Sequence, residues 1–126
     1  MHKSRLGGLI IDCETDDLAV AEVFWTQALG YQPVRSSDPD DQGYVPLQTG
    51  RDDPHVELQQ VTHPSRVHLD IETDDVDAEV ARLEQLGAKR VEQVSSWWIM
   101  EAPTDHRFCV VEAEGPAFAE RANTWE

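Results

Sequence analysis

Ile11-Asp12-Cys13-Glu14-Thr15-Asp16-Asp17-Leu18 decides the reading of this chain, because it is written a second time as Leu69-Asp70-Ile71-Glu72-Thr73-Asp74-Asp75-Val76. The shift is 58 positions; five of the eight pairs are identical and the other three exchange one apolar residue for another. Further on, Gln27 falls on Gln85, and after a one-residue gap Leu29-Gly30 falls on Leu86-Gly87. Two copies are too few for a solenoid, which needs at least about three units to bury a continuous core. The repeat therefore implies two similar half-domains related by a pseudo-twofold axis, with a site expected between them.

Outward from the repeat, each copy spells the same order of elements. Leu9-Ile10-Ile11 opens a strand, and Thr15, Asp16 and Asp17 offer acceptors to the free N–H groups of a following helix. Leu18, Ala21, Trp25, Ala28 and Leu29 recur at helical spacing, and Gly30 ends the helix. Ser36-Ser37-Asp38-Pro39-Asp40-Asp41 reads as loop. Tyr44 to Gln48 and His55 to Val61 read as strands, the first at an edge because of Pro46. Thr62-His63-Pro64-Ser65 is the linker. In the second copy Val67 to Glu72 is a strand, and Val76, Val80, Leu83 and Leu86 stripe a helix ended by Gly87. Asp77 and Glu79 place negative charge near the positive end of that helix. Three strands follow, at Val91 to Val94, Trp97 to Met100 and Arg107 to Glu112, with Ala102-Pro103-Thr104-Asp105 as a turn. Each half is thus βαβββ. The tail from Glu114 carries Phe118 and Trp125, which suit packing across a surface.

Composition narrows the function. At 126 residues the chain is sized for one domain. A net charge of −15 leaves no clustered Lys and Arg for phosphates, so nucleic acid is excluded as a partner. The same field attracts cationic ligands. No apolar run reaches a membrane span of roughly 18 to 20 residues, and no signal peptide is legible, so the expectation is cytoplasmic with no membrane partner. Cys13 and Cys109 sit in apolar runs and read as free thiols.

Strand alternation sorts the candidate site. If Leu9, Ile11 and Cys13, and likewise Val67, Leu69 and Ile71, face the helices, then Asp12, Glu57, Gln59, His68 and Asp70 share the other, polar face. Of the adjacent pair Trp97-Trp98, one ring faces that side and the other the helix or a neighbouring subunit. Asp12, Gln59, His68, Asp70, Trp97 and Trp98 are the candidate ligand-binding residues. His55, His63 and His106 fall near loops or strand ends and read as surface residues.

The stretches Asp17-Leu18 through Phe24-Trp25 to Leu29-Gly30, Val67-His68-Leu69-Asp70, and Ala102-Pro103 through Phe108 to Val111 resemble the glyoxalase-like family. This is the vicinal oxygen chelate superfamily, which includes glyoxalase I, extradiol dioxygenases and bleomycin-resistance proteins. The resemblance implies an α+β fold in which two βαβββ modules form a curled mixed sheet with a cleft, helices on the outer face. It implies one domain over residues 1–126, with module one at 6–61, module two at 66–112 and a tail at 113–126. Metal-dependent members take ligands from the first and last strands of each half. On that pattern Ile10 and His68 are twins, as are Glu57 and Cys109. Ile10 cannot ligate, so a metal set would be His68, Glu57 and Cys109, holding zinc, nickel or iron. The expected function is metal-free binding of a polar or cationic aromatic compound, as in the bleomycin-resistance type, by a homodimer with no cofactor. The alternative is a metal-dependent lyase, isomerase or dioxygenase with Glu57 as ligand or general base.

Overall fold

A computed structural model describes residues 1–38, 42–50 and 53–126. The loop expected at Ser36 to Asp41 lies in part outside the described residues. The elements run β1 (His2–Glu14), α1 (Leu18–Leu29), β2 (Tyr44–Leu47), β3 (His55–Val61), β4 (Arg66–Thr73), α2 (Val76–Gln85), β5 (Lys89–Val94), β6 (Trp97–Glu101), β7 (Arg107–Glu112), α3 (Ala117–Arg121) and β8 (Asn123–Trp125). Among the described residues eight strands in parallel and antiparallel pairs and three helices make this an α+β fold; the second half is βαβββ as expected, whereas the first runs β1-α1-β2-β3, one strand fewer than expected. The chain divides into two compact units, a smaller one of Gly8–Val67 and a larger one of Met1–Gly7 with His68–Glu126.

In the smaller unit the strand order is β2-β3-β1, with β1 and β3 parallel and β2 antiparallel at the edge. Pro46 is tolerated there because an edge strand can forgo one N–H. Leu47, Val56 and Leu58 form the core, and Leu9, Ile11, Leu18, Ala21, Trp25 and Val45 pack on it. The alternation expected for β1 therefore holds: Leu9 and Ile11 meet α1. Asp17 accepts a hydrogen bond from the Ala19 N–H at the start of that helix, and Gly30 ends it at φ 73°, a left-handed geometry that costs glycine nothing. The outer face of α1 is apolar too. Val20, Val23 and Phe24 are 67%, 57% and 60% exposed.

In the larger unit β4 and β7 are parallel, and β6 runs antiparallel between β7 and β5. Val80, Leu83, Met100, Phe108 and Val110 form its core, with Ile71 and Trp98 packed against it. α2 packs on β5, β6 and β7, and accordingly Val67 and Leu69 at the start of β4 stay exposed, although both were expected beneath a helix. Asp75 caps α2 by accepting from the Ala78 N–H. The Thr73 hydroxyl accepts from the Asp75 N–H, as the Thr15 hydroxyl accepts from Asp17. The duplicated Glu-Thr-Asp-Asp is thus one strand-to-helix turn built twice.

The tail is ordered beyond what its sequence indicates. β8 pairs antiparallel with the start of β1, His2 opposite Trp125, and Phe118 on α3 is buried. This pairing extends β1 well upstream of the apolar run at Leu9.

Candidate functional site

In the larger unit, strand register sets the site. Asp70 stands opposite Cys109 on β7, and Cys109 stands opposite Ile99 on β6. Met100 and Trp98 pair with Phe108 and Val110 of the core, so they point towards α2. Alternation then places Trp97 and Ile99 on the opposite face with Cys109, Asp70 and, two residues back along β4, His68. The tryptophan pair is divided as expected. Trp98 packs on the core with the Arg90 guanidinium 5.0 Å from its ring centroid, and Trp97 lies on the polar face.

His68, Asp70 and Cys109 converge there. One ligand atom from each lies within 4.8 Å of the other two, and His68 Nε2 is 3.5 Å from Asp70 Oδ1. All three side chains are half-buried. Neutral imidazole, carboxylate and thiolate are the donor types that hold zinc-like ions, so the set fits the metal that the family resemblance implies. Asp70 was anticipated as a lining residue and not as a ligand. Its spacing of two from His68 on one strand face was the legible sign.

In the smaller unit Ile10 pairs with Glu57 and Asp12 with Gln59, while Tyr44 and Pro46 flank them from β2. These residues share the face opposite α1. The Gln59 amide donates to the Tyr44 hydroxyl at 3.2 Å, and Glu57 is 3.8 Å from His55 Nε2. Asp12 is 2% exposed, with Arg66 Nε at 3.7 Å. Ile10 is equally buried, so the polar face expected here is in part a closed one.

The registers also correct the pairing of twins. Asp12 and Asp70 correspond, and their partners across the parallel ladder are Gln59 and Cys109. Cys109 is therefore the counterpart of Gln59. Glu57 pairs with Ile10, the twin of His68, and so corresponds to the residue one step before Phe108, which is Arg107. The spacing of the repeat was measured on the first strands, and nothing in the sequence carries it across to the last ones. The structure thus gathers His68 and Cys109 with Asp70, while Glu57 belongs to the other unit. Of the histidines expected at the surface, His55 and His106 are exposed and His63 is half-buried.

A concavity of about 630 Å³ opens in the larger unit beside the start of α2 and is lined by Asp74, Asp75, Asp77 and Glu112 among others. Asp75 is engaged with the Ala78 N–H and Asp74 accepts from the Lys3 N–H. Elsewhere in the smaller unit burial, aided by the charge of Asp12, raises the Cys13 pKa above that of an ordinary thiol.

Known structures share this fold. A hypothetical protein from Bacillus halodurans C-125 superposes with a TM-score of 0.67 at 13% identity, over 90% of this chain and 96% of that one. Methylmalonyl-CoA epimerase from Mycobacterium tuberculosis gives 0.61 at 21% identity, over 91% of each chain. A Streptomyces coelicolor methylmalonyl-CoA epimerase in complex with 2-nitronate-propionyl-CoA gives 0.57 at 19% identity, over 89% and 98%. At these identities the likeness is one of fold. No curated protein sequence matches the chain. A family model, the glyoxalase-like domain, matches residues 8–111 and takes in both copies of the repeat and their strand ladders. With its duplicated strand-to-helix turn and that match over most of its length, the chain belongs to the glyoxalase-like domain family of the vicinal oxygen chelate superfamily.

Proposed function

We propose that this glyoxalase-like protein binds a small polar or cationic aromatic molecule, as proteins of the bleomycin-resistance type do, on the polar sheet face of its larger unit. The observation that carries the reading is Trp97 on one face with His68, Asp70 and Cys109, in a chain of net charge −15. An indole face attracts a flat cation through its quadrupole, and carboxylates nearby raise the local concentration of positive ligands. Asp12 and Gln59, the other expected lining residues, lie on the face opposite α1 in the smaller unit, where Asp12 is buried, and the reading does not draw on them. Trp98, packed on the core, contributes by holding β6 in place.

The test is tryptophan fluorescence with matched cationic and neutral aromatic dyes. Cationic dyes are expected to quench in a saturable way that weakens with salt, and Trp97→Phe to remove most of the response. No saturable quenching, or quenching that survives in Trp97→Phe, refutes the reading.

A second reading, a metal-dependent lyase, isomerase or dioxygenase, is favoured by the convergence of His68, Asp70 and Cys109. A divalent ion there would polarise a substrate oxygen. Glu57, the expected base, lies in the smaller unit, so this reading rests on the three residues of the larger one.

Further parts of the proposal concern organisation. We read residues 1–126 as one domain of two modules and a tail, acting as a homodimer in the cytoplasm. The free thiols Cys13 and Cys109 suit a reducing compartment. Among the described residues no helix is long and apolar enough to cross a membrane. The exposed apolar face of α1 supports self-association. Its one acidic residue, Glu22, is neutralised by Arg35, so this patch is free of the charge that otherwise repels copies of a −15 chain.

A further inference from the structure

Three side chains on two neighbouring strands of the larger unit form a complete donor set without help from any residue of the smaller one. We propose that the larger unit alone holds a zinc ion through His68 Nε2, an Asp70 carboxylate oxygen and Cys109 Sγ, with a fourth position open. The inference deepens the metal-dependent reading above and does not depend on the aromatic ligand.

Geometry is the first support. Nitrogen and oxygen ligands about 2.0–2.1 Å from a tetrahedral zinc lie about 3.3 Å from each other, and a thiolate at about 2.3 Å lies about 3.5 Å from either. His68 Nε2 and Asp70 Oδ1 are already 3.5 Å apart. Cys109 Sγ is within 4.8 Å of both. The ladder fixes the rest: Asp70 pairs with Cys109 across β4 and β7, and His68 follows at a spacing of two on the same face.

Donor chemistry is the second support. Imidazole with thiolate selects a borderline-soft ion, whereas magnesium, calcium and manganese favour all-oxygen sites. Three protein ligands with an open position are the arrangement of zinc sites that admit water or substrate.

Third, the duplication supplies an internal contrast. The corresponding residues of the smaller unit are Ile10, Asp12 and Gln59, related to one another by the same register. An alkyl group and a neutral amide leave a single carboxylate, which stands by Arg66. One copy of the scaffold therefore keeps a donor set where the other has an ion pair and an amide–hydroxyl bond.

The test uses the full chain, reduced and freed of metal, titrated with Zn²⁺ by calorimetry and with Co²⁺ by absorption. Expected are one ion per chain, no binding of Mg²⁺, and a near-ultraviolet thiolate-to-cobalt band. Cys109→Ser should abolish that band, and Asp70→Asn should weaken Zn²⁺ binding tenfold or more. Cys13→Ala, which removes the only other thiol, should leave both readings unchanged. Far-ultraviolet circular dichroism verifies that each variant is folded, and His68→Gln serves as a second probe should Cys109→Ser fail to fold. Absence of stoichiometric Zn²⁺ binding, or a cobalt band that survives in Cys109→Ser, overturns the proposal. Dye quenching measured on the same metal-free protein reads the aromatic-ligand reading separately, so each can fail alone.

Discussion

Glu79 has no exposed surface, yet it works as an anion. Burial by itself would raise its pKa. Hydrogen bonds from Arg82, His2 and Ser4, with the charge of Arg82, outweigh that and hold it below the ordinary range. Arg82 donates twice, through Nε and a terminal nitrogen, at 2.8 Å each, and His2 Nε2 donates at 2.8 Å. Because the folded pKa is depressed, this stability is fully present above the unfolded value of about 4.3 and is lost as pH falls through the folded one. Glu79→Gln is expected to cost about 2–4 kcal/mol at pH 7, since it leaves buried donors without their charged partner. Denaturant unfolding from pH 7 down to pH 3 should show the gap between wild type and variant shrinking with acid; a constant gap would refute the account. The sequence showed Glu79 only as a first-turn acid beside Asp77. Its partner His2 is 77 residues away, and periodicity is blind to contacts of that kind.

At the scale of elements, the duplicated turn was legible and the tail was not. Thr, Asp and a closing Gly are local signals, and both helices start where the paired motifs put them. α3 and β8, of five and three residues, are too short to carry a period, and their partners lie at the other end of the chain. What holds them is aromatic. Arg5 lies over the Phe118 ring, Arg82 stacks 3.9 Å from the Trp125 centroid, and the Trp125 indole donates to Ser4 Oγ. Phe118→Ala is expected to cost about 3 kcal/mol, as truncating a buried aromatic does. Thermal melting measures it, and a loss below about 1 kcal/mol would mean that the tail is not anchored by this ring.

For the whole molecule, the repeat revealed the fold class because core positions and helix caps are duplicated nearly unchanged. The candidate site was legible in part. His68, Asp70 and Cys109 were all singled out, but their convergence depends on how β7 is registered against β4, which only the ladder fixes. The helices diverge at the same level: where α2 has Arg82 bound to Glu79, the twin position on α1 is the exposed Phe24. If that face joins two copies, Phe24→Glu should give a monomer by light scattering at concentrations where the wild type is a dimer. A monomeric wild type, or a variant that still dimerises, removes α1 from the interface.

The two cysteines also make the protein its own reporter of breathing. Cys13 is 8% exposed, donates to the Ile11 carbonyl and has its pKa raised by burial; Cys109 is half-buried on the polar face. An alkylating reagent reacts with thiolate that it can reach. Cys109 is then labelled from the closed protein, while Cys13 is labelled at the rate at which the smaller unit opens. A single reagent thus times two events, and the slow one is a clock for local unfolding around β1 that needs no engineered probe.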